Sequence, residues 1–365
     1  PIVSFLVVPL ALLAVALLPV VPDISGFLLQ LVDLVLQYLW QVLVFLVDLP
    51  LASIVQAQPD LWQIVVAMLG VFLLLAPRGI PARYLGFILI FPLIFAHKDK
   101  PEMGEASLTL LDVGQGLAVV VETAEHTLVF DTGARFSDSF DMGRNVVLPF
   151  LHYQRITHID KLVISHADND HIGGAKSLLA EMPTEEVLSS VLGLLADYKA
   201  VACYVGQSWQ WDQVNFRMLS PPKQGLKGEN DNSCVLKIET AQGSFLLTGD
   251  IEKIAEAALI EQPKDLSVEV LIAPHHGSKT SSSADFLAAV NPSVILIPAA
   301  SPNRFGFPHA QVLDRYIQLG AQNFITGNSG ALTVNFHEGE IEVESYRAKH
   351  RRYWNRWSGK ENVIK

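Results

Sequence analysis

Leu162-Val-Ile-Ser-His-Ala-Asp-Asn-Asp-His-Ile-Gly-Gly174 combines a short apolar run with a dense group of imidazole and carboxylate side chains. The apolar residues predict a buried β-strand, and the two glycines allow a helix to begin close behind the polar group. The side chains able to bind a metal are His166, Asp168, Asp170 and His171. A surface loop has no structural need for His and Asp at this density, so the stretch predicts a metal site at the end of a strand.

Other loops with the same kinds of residue follow apolar runs elsewhere in the chain. They are Asp112-Val-Gly-Gln-Gly116, Asp131-Thr-Gly133, Leu246-Leu-Thr-Gly-Asp250 and Ala273-Pro-His-His-Gly-Ser278. Strands are predicted at Ser107–Val113, Leu117–Glu122 and Thr127–Phe130, and beyond them strands alternate with helices. That order predicts an α/β domain in which helices enclose sheet layers, with the polar loops at strand ends.

The composition divides the chain into a membrane part and a soluble part. Half of the 365 residues are hydrophobic, 17% are charged and the formal net charge is −11, which excludes a wholly soluble globular protein and a disordered one. We predict transmembrane or interfacial helices over 1–97, a linker over 98–106, the α/β domain over 107–346 and a basic, aromatic tail over 347–365. Residues 101–346 contain 31 Asp and Glu against 15 Lys and Arg. Because the sequence opens on proline, we expect it to be part of a longer chain.

Four apolar segments are candidates to cross a membrane, since a span needs about 20 apolar residues. They are Ile2–Val21, Phe27–Val47, Leu61–Ala76 and Ile80–Ala96. Arg78 and Arg83 flank the turn between the last two segments, and the positive-inside rule places that turn in the cytoplasm. The domain after Ala96 then faces outward, although Lys98 and Lys100 favour the opposite side.

A polar stripe runs along the second apolar segment at helical spacing. Its residues are Gln30, Asp33, Gln37, Gln41 and Asp48. The stripe is typical both of a helix that lies flat in the headgroup region and of a span that lines an aqueous path. The sequence leaves both interpretations open.

The chain has two cysteines, Cys203 and Cys234. This number excludes a disulfide scaffold, and their spacing excludes a Cys-x-x-Cys metal or redox motif. They are expected to be buried thiols, or a single bridge if the domain faces an oxidising compartment.

The motif His-x-Asp-x-Asp-His with Gly-Gly, followed by Thr-Gly-Asp and by Pro-His-His-Gly-Ser, resembles the metallo-β-lactamase superfamily. The resemblance implies a four-layer αββα sandwich with a metal site at one edge of its two sheets. Three further features narrow the resemblance to one branch of the superfamily. They are Asp112-Val-Gly-Gln-Gly116, Asp168 in place of the usual second His, and the preceding membrane segments. Together they resemble the carboxy-terminal half of ComEC-type DNA-internalisation competence proteins. We therefore expect α-helical transmembrane segments followed by the α/β four-layer sandwich.

The resemblance also implies a set of metal ligands. They are His166, Asp168, Asp170, His171, Asp250 and His275. The first two match ligands of one cation, the next two match ligands of a second, and Asp250 matches the carboxylate that bridges them. The last ligand is either His275 or its neighbour His276. Asp112 and Asp131 are expected to orient the loops, or to act as turn and helix caps.

Two departures from the superfamily bear on the metal. Asp168 replaces a His, and most relatives supply a further His before the bridging Asp, whereas none occurs between His171 and His275. Asn230, Asp231 or Asn232 stand in that place. Such an oxygen-rich donor set favours Mn²⁺ or Mg²⁺ over Zn²⁺. Mn²⁺ is therefore at least as strong a candidate as Zn²⁺, and the expected cofactor is one or two Mn²⁺ or Zn²⁺ ions.

A site with two cations implies metal-dependent hydrolysis of a phosphodiester. Asp170 would take the proton of the attacking water, and His276 would protonate the leaving alkoxide or bind phosphate. Asn303 and Arg304 are candidates to hold the non-bridging oxygens. His309 either contacts the substrate or begins a helix.

The tail interleaves cations with aromatic rings. The residues expected to contact nucleic acid are Arg347, Arg351, Arg352, Trp354, Arg356 and Trp357. Cations bind phosphates and rings stack on bases, but the same composition suits membrane headgroups. The acidic domain opposes non-specific DNA binding, so it is the resemblance that favours DNA.

Three functions remain open at this point. The first is a multi-pass inner-membrane protein for natural transformation, whose outward, periplasmic or extracellular nuclease degrades the strand that is not transported. Its implied partners are the transported single strand of DNA, the membrane, the upstream channel region of the same chain, a second copy and other competence proteins. The second is a membrane-tethered metallohydrolase of another envelope substrate. The third is a DNA-binding domain of the channel without catalysis.

Overall fold

A computed structural model describes residues 2–49, 59–77, 79–94, 100–262, 265–337 and 339–351. The chain divides into two compact units, Pro1–Gln56 and Ala57–Lys365. The described part of the first unit is helical, and the second contains a further pair of apolar helices and all the strands that the structure describes.

Over residues 2–49 the first unit has two α-helices, α1 (Val8–Leu17) and α2 (Pro22–Val47), with a π-helical turn, Val3–Val7, before α1. The hydroxyl of Ser25 in α2 donates to the carbonyl of Ala14 in α1 at 2.7 Å. Among the described residues, α2 is the helix long and apolar enough, by length and composition, to cross a membrane. The predicted first segment is helical over Val3–Leu17, which is shorter than a span.

In the second unit, α3 (Leu61–Leu75) packs against α4 (Leu85–Ile94). A Cβ added to Gly70 would lie 2.6 Å from the carbonyl oxygen of Gly86, and one added to Gly86 would overlap that of Gly70. The two backbones therefore touch, as they do at small-residue crossings of membrane helices. Both helices are shorter than the predicted segments Leu61–Ala76 and Ile80–Ala96, and Pro92 lies inside α4.

Gly86→Ala is expected to separate these helices, since its methyl group would overlap the facing backbone. Overpacking of this kind costs about 1–3 kcal/mol, and the variant should unfold at a lower temperature in detergent. Gly79→Ala is the matched control, because a Cβ at Gly79 meets nothing within 4 Å. Equal melting temperatures for the two variants would contradict the crossing.

The α/β domain contains two large sheets and a hairpin. The first sheet has, in spatial order, β17 (Glu340–Ser345), β16 (Leu332–His337), β1 (Ser107–Leu110), β2 (Val119–Glu122), β3 (Thr127–Phe130), β6 (Ile159–Ile164), β7 (Thr184–Ser189) and β8 (Val201–Ala202). The second has β15 (Gln322–Ile325), β14 (Val294–Ile297), β13 (Val270–Ile272), β12 (Ser244–Leu247), β11 (Val235–Glu239), β10 (Val214–Ser220) and β9 (Ser208–Trp211). The hairpin pairs β4 (Arg135–Ser137) with β5 (Phe140–Asp141).

Helices cover the outer face of each sheet. The described α-helices of the domain are α5 (Leu148–Tyr153), α6 (Asn169–Ile172), α7 (Ala175–Glu181), α8 (Lys253–Ile260), α9 (Ala284–Val290), α10 (Ala310–Gln318), α11 (Thr326–Ser329) and α12 (Tyr346–Lys349). Short 3-10 helices lie at Leu192–Tyr198, Asn230–Asn232 and Pro274–Gly277. One buried apolar cluster fills the space between the sheets, a second lies under α5 and α7, and a third lies under α8, α9 and α10. The predicted order of layers, helix, sheet, sheet, helix, is confirmed.

Several predicted boundaries differ from the structure, and β2, for example, begins at Val119 rather than Leu117. β1 ends at Leu110 rather than Val113 because the chain turns there, with the Val113 amide donating to the Leu111 carbonyl. The helix expected directly after the metal-binding motif is split into α6 and α7. Gly174, between them, donates its amide hydrogen to Gly133 of a neighbouring loop, which interrupts the helical pattern.

Cys203 and Cys234 form a disulfide, so the alternative of two buried thiols is wrong. The bond joins the residue after β8 in one sheet to the residue before β11 in the other. Both cysteines lie in the core between the sheets. Such bonds persist in oxidising compartments.

Reduction of this disulfide is expected to lower the free energy of unfolding by about 2–4 kcal/mol, because it releases a constraint on the unfolded chain. Chemical denaturation of the protein in detergent with and without a phosphine reductant measures the change. The double variant Cys203→Ser, Cys234→Ser should not respond to the reductant. A wild-type protein equally stable in both conditions would count against the bond.

Candidate metal centre

Four strand-end or helix-start segments bring imidazoles and carboxylates to one edge of the two sheets. His166 follows β6, Asp170 and His171 lie in α6, Asp250 follows β12, and His276 follows β13. Two donor groups result, each with its atoms within 4.8 Å of one another. They are His166, His171 and Asp250, and Asp170, His171 and His276.

His171 is fully buried and is held in one tautomer by Asp131. Its Nδ1 lies 2.7 Å from Asp131 Oδ2, and Asp131 also accepts from the amide and hydroxyl of Ser165, at 2.7 and 2.6 Å. A carboxylate surrounded by donors is an acceptor, so Nδ1 of His171 carries the hydrogen. Nε2 then presents a lone pair towards Asp250 Oδ1, 3.1 Å away.

His276 is oriented in the same way by a backbone carbonyl. Its Nδ1 donates to the carbonyl oxygen of Pro298 at 2.8 Å, and its Nε2 faces Asp170 Oδ2 and Asp250 Oδ2, both at 3.4 Å. The Nε2 atoms of His276 and His171 are 3.3 Å apart. In neutral rings with these tautomers, neither Nε2 has a hydrogen to donate to the other, which is the arrangement of two ligands around a cation.

His166 completes the set. Its Nδ1 lies 2.9 Å from Ser165 Oγ, whose own hydrogen goes to Asp131, so this Nδ1 donates as well. Within the described part of the chain, His166 Nε2 and Asp250 Oδ1 are buried without a hydrogen-bond partner. Buried acceptors without partners are costly, and one or two divalent cations would satisfy them together. The residues therefore fit the metal that the superfamily implies.

When no cation is bound, protons on the neighbouring imidazoles offset the negative charges of Asp170 and Asp250. Burial opposes protonation of His276, but the Asp250 and Asp170 carboxylates outweigh it and raise its pKa to about 9. Burial raises the pKa of Asp170, yet hydrogen bonding and attraction from His276 and His171 lower it to about 2. The cluster is thus built to attract positive charge.

Asp168 and His275 lie at the rim of the cluster. Asp168 Oδ2 is 3.5 Å from His166 Nε2, and its side chain is 49% exposed. His275 Nε2 is 3.6 Å from Asp250 Oδ2, while its Nδ1 is 3.1 Å from Glu252 Oε1. His275 and His276 both have left-handed backbone, with φ of 49° and 56°, a conformation that residues other than glycine adopt rarely. His276 thus belongs to one of the two donor groups, whereas His275 lies at the rim, and the sequence left either of them as the last ligand.

The glycine-rich loop after β1 supports Asp170 from behind. Gly116 has a φ of +131°, and a Cβ there would overlap the carbonyl oxygen of Asp170. The Leu117 amide donates to that oxygen at 3.1 Å.

Asp112 lies apart from the cluster and accepts from the Arg347 guanidinium at 2.6 Å. Burial raises the pKa of Asp112 while Arg347 opposes the shift.

The segment that stands in place of the missing His does not bring its carboxylate to the cluster. Asp231 accepts from the amides of Glu252 and Ala255 at 2.9 Å and so caps α8. The Asn232 side chain is hydrogen-bonded to backbone of the preceding loop. Ser233 comes nearest, since its Oγ accepts from the Asp250 amide at 3.3 Å.

The remaining predicted site residues have other surroundings. Asn303 uses its side chain to bind its own loop, and Arg304 lies over the Phe305 ring. The His309 amide donates to Gly277, and α10 begins directly after His309. Arg347 is engaged with Asp112 and with the Gly327 carbonyl, while Arg351 is the last described residue. Arg352, Trp354, Arg356 and Trp357 lie outside the described residues.

Two further residues orient the ligands, one through its side chain and one through its backbone carbonyl. Ser165 links Asp131 to His166, and Pro298 provides the acceptor for His276. The position of Ser165 directly before the first His of the motif was the available signal for it. Nothing local in the sequence pointed to Pro298, which is 22 residues from its partner.

Comparison with known proteins accounts for this arrangement. Residues 111–298 match the family model described as "Metallo-beta-lactamase superfamily". The chain belongs to that superfamily. Residues 1–80 match a second model, described as "Competence protein", and the predicted resemblance to the competence proteins is confirmed.

Two curated relatives and one solved structure illustrate the likeness. Competence protein ComA of Neisseria gonorrhoeae is 32% identical over 97% of this chain and 49% of its own length. ComE operon protein 3 of Bacillus subtilis (strain 168) is 27% identical over 92% of this chain and 47% of its own. This superfamily member thus spans about half the length of those relatives. The metallo-beta-lactamase fold protein YhfI from Bacillus subtilis has a TM-score of 0.43 at 11% identity, covering 63% of this chain and 99% of YhfI.

Proposed function

We propose that this chain is the membrane-bound, hydrolytic part of a DNA-uptake protein for natural transformation, and that its α/β domain hydrolyses phosphodiesters of the DNA strand that is not transported. The observation that carries the proposal is the donor cluster. Three imidazole Nε2 atoms converge with Asp170 and Asp250, and each Nδ1 is held by a protein acceptor. The match of residues 1–80 to competence proteins supports the membrane and DNA parts.

Bound divalent cations would lower the pKa of a water molecule and withdraw charge from a phosphodiester. Asp170, at the mouth of the cluster with a side chain 30% exposed, would accept the proton of the attacking water on a carboxylate oxygen. His275, held by Glu252 and within 3.4 Å of the Thr280 hydroxyl, would give a proton to the leaving alkoxide. Asp131 and Pro298 keep the other imidazoles in orientation.

The proposal extends to cofactor, topology and partners. The cofactor is one or two Mn²⁺ or Zn²⁺ ions, with the oxygen donors favouring Mn²⁺. Residues 1–97 lie in or on the inner membrane, 98–106 link them to the domain over 107–346, and the tail over 347–365 contacts DNA. The disulfide supports a domain that faces the oxidising, outer side. The partners are transported single-stranded DNA, the upstream channel region, a second copy and other competence proteins.

Cleavage of end-labelled linear DNA by the full chain in nanodiscs tests the activity. We expect cutting with Mn²⁺, less or none with Mg²⁺ and Zn²⁺, and none with chelator. His166→Ala should abolish it because Nε2 of that ring faces the cluster, whereas His337→Ala, at an exposed strand end, should not. A folded protein that cuts DNA with none of these metals would refute the nuclease.

A second candidate is hydrolysis of a different envelope phosphodiester. The excess of acidic residues over 101–346 favours it, since a charge of that sign repels DNA. The same cluster would serve both substrates. Metal-dependent hydrolysis of bis(p-nitrophenyl) phosphate by a chain that leaves DNA intact would select this candidate.

A further inference from the structure

A ladder of flat groups leads from the metal centre to the surface. The ring of His276 is 6.3 Å from that of Phe307 with planes 22° apart, and Phe307 is 5.6 Å from Phe305 with planes 17° apart. The guanidinium carbon of Arg304 lies 4.7 Å from the centre of the Phe305 ring. Exposure rises along this series, from a buried His276 to a Phe305 that is 50% exposed.

One side chain holds the outer part of the ladder in place. Asn303 donates to the carbonyls of Ala300 and Phe307, at 2.8 and 2.6 Å, and accepts from the amides of Phe305 and Phe307, at 3.1 and 3.0 Å. The Asn303 side chain therefore fixes the conformation of the loop over residues 300–307 through hydrogen bonds to its backbone. Asn303 acts as a positioning residue rather than as a contact to phosphate.

Core packing does not account for Phe305. Phe307 packs against the apolar cluster under α10, but Phe305 lies beyond it with half of its surface in water. An exposed ring costs hydrophobic free energy, yet this one is held near the catalytic cluster beside a cation. A flat apolar face with an adjacent guanidinium is the combination that proteins use to stack a nucleobase and contact its backbone.

We infer that Phe305 and Arg304 form a stacking platform for one unpaired base of the DNA strand whose phosphodiester lies at the metal centre. The inference rests on the proposed function and adds to it a preference for single strands, because paired bases keep their faces inside the duplex. The platform also explains how an acidic domain would bind DNA. Stacking provides affinity that a domain with 31 acidic and 15 basic residues over 101–346 does not obtain from phosphate attraction.

Binding to two oligonucleotides tests the platform. The full chain in nanodiscs with Mn²⁺ is titrated into fluorescein-labelled 12-mers with phosphorothioate linkages, which slow cleavage, one of deoxythymidine and one abasic. Fluorescence anisotropy gives the dissociation constants. Phe305→Leu keeps an apolar side chain but removes the flat face. It should weaken binding of the thymidine strand about 10-fold, the order expected for one lost stacked base, and leave the abasic strand unchanged.

Phe305→Trp is the rescue variant and should bind the thymidine strand at least as tightly as wild type. Arg304→Gln should weaken both strands, since it removes the charge beside the backbone. If Phe305→Leu weakens both strands equally, or neither, the platform is refuted. Hydrolysis of bis(p-nitrophenyl) phosphate by the wild-type chain reports the proposed hydrolytic function separately, so a failure of the platform is distinguished from a failure of the hydrolytic site.

Discussion

Asp250→Asn should reduce the affinity for divalent cations by at least about 100-fold and abolish DNA cleavage. Asp250 belongs to the donor group of His166 and His171, and its oxygens lie 3.1 Å from His171 Nε2 and 3.4 Å from His276 Nε2. Burial raises the pKa of Asp250, but His171 and His276 lower it well below its usual value, so the group is ionised. An amide supplies neither the charge nor the second oxygen that bridging requires.

Isothermal titration with Mn²⁺ and elemental analysis of the purified protein measure this effect without relying on catalysis. Asp138→Asn is the matched control because its side chain is fully exposed on the β4–β5 hairpin. It should bind Mn²⁺ as the wild type does. Undiminished Mn²⁺ binding by Asp250→Asn would mean that the cation sits elsewhere and would overturn the assignment of the centre.

Asp131→Asn should weaken Mn²⁺ binding by about 10–100-fold, the usual cost of losing a carboxylate that orients a ligating His. Asp131 has a left-handed backbone, with a φ of 59°, which asparagine also tolerates, so the loop should keep its shape. The amide, however, has one acceptor in place of two. With its NH2 group in the place of Oδ2, it no longer accepts from Ser165 Oγ and His171 Nδ1. His171 is then free to place its hydrogen on Nε2, where it blocks the metal.

The control for this prediction is Asp160→Asn, a buried aspartate that accepts from the Thr127 amide at 2.7 Å and lies outside the donor groups. Both variants lose a buried charge, so thermal unfolding should shift by similar amounts, whereas only Asp131→Asn should lose Mn²⁺ affinity. Equal Mn²⁺ affinities for the two variants would show that Asp131 stabilises the fold but does not contribute to metal binding.

Several features could be predicted from the sequence because short-range patterns determine them. Strands β2 and β3 end where the apolar runs end, at Glu122 and Phe130. The His-x-Asp-x-Asp-His motif places its side chains within one loop and one helical turn, so their proximity requires no knowledge of the fold. The division into apolar helices and an acidic domain follows likewise from composition.

Other features depend on which strands lie side by side, and no local pattern determines that. His171 meets Asp131 from 40 residues away, and Arg347 meets Asp112 from 235 residues away. The different contacts of His275 and His276 follow from a backbone turn of left-handed residues that directs one ring to Glu252 and the other to Pro298.

The sequence by itself determined the chemistry available to this superfamily member: clustered imidazoles and carboxylates at strand ends, apolar helices and an acidic domain. Tertiary structure alone decided which of those groups face one another and brought the two cysteines together. It also decided that the Asn303 side chain binds the backbone of its own loop and that His276 lines up with Phe307 and Phe305. The physical reason is that a side chain's donors and acceptors are satisfied by its neighbours in space. Those neighbours come from strands whose order in the sheets no short segment specifies.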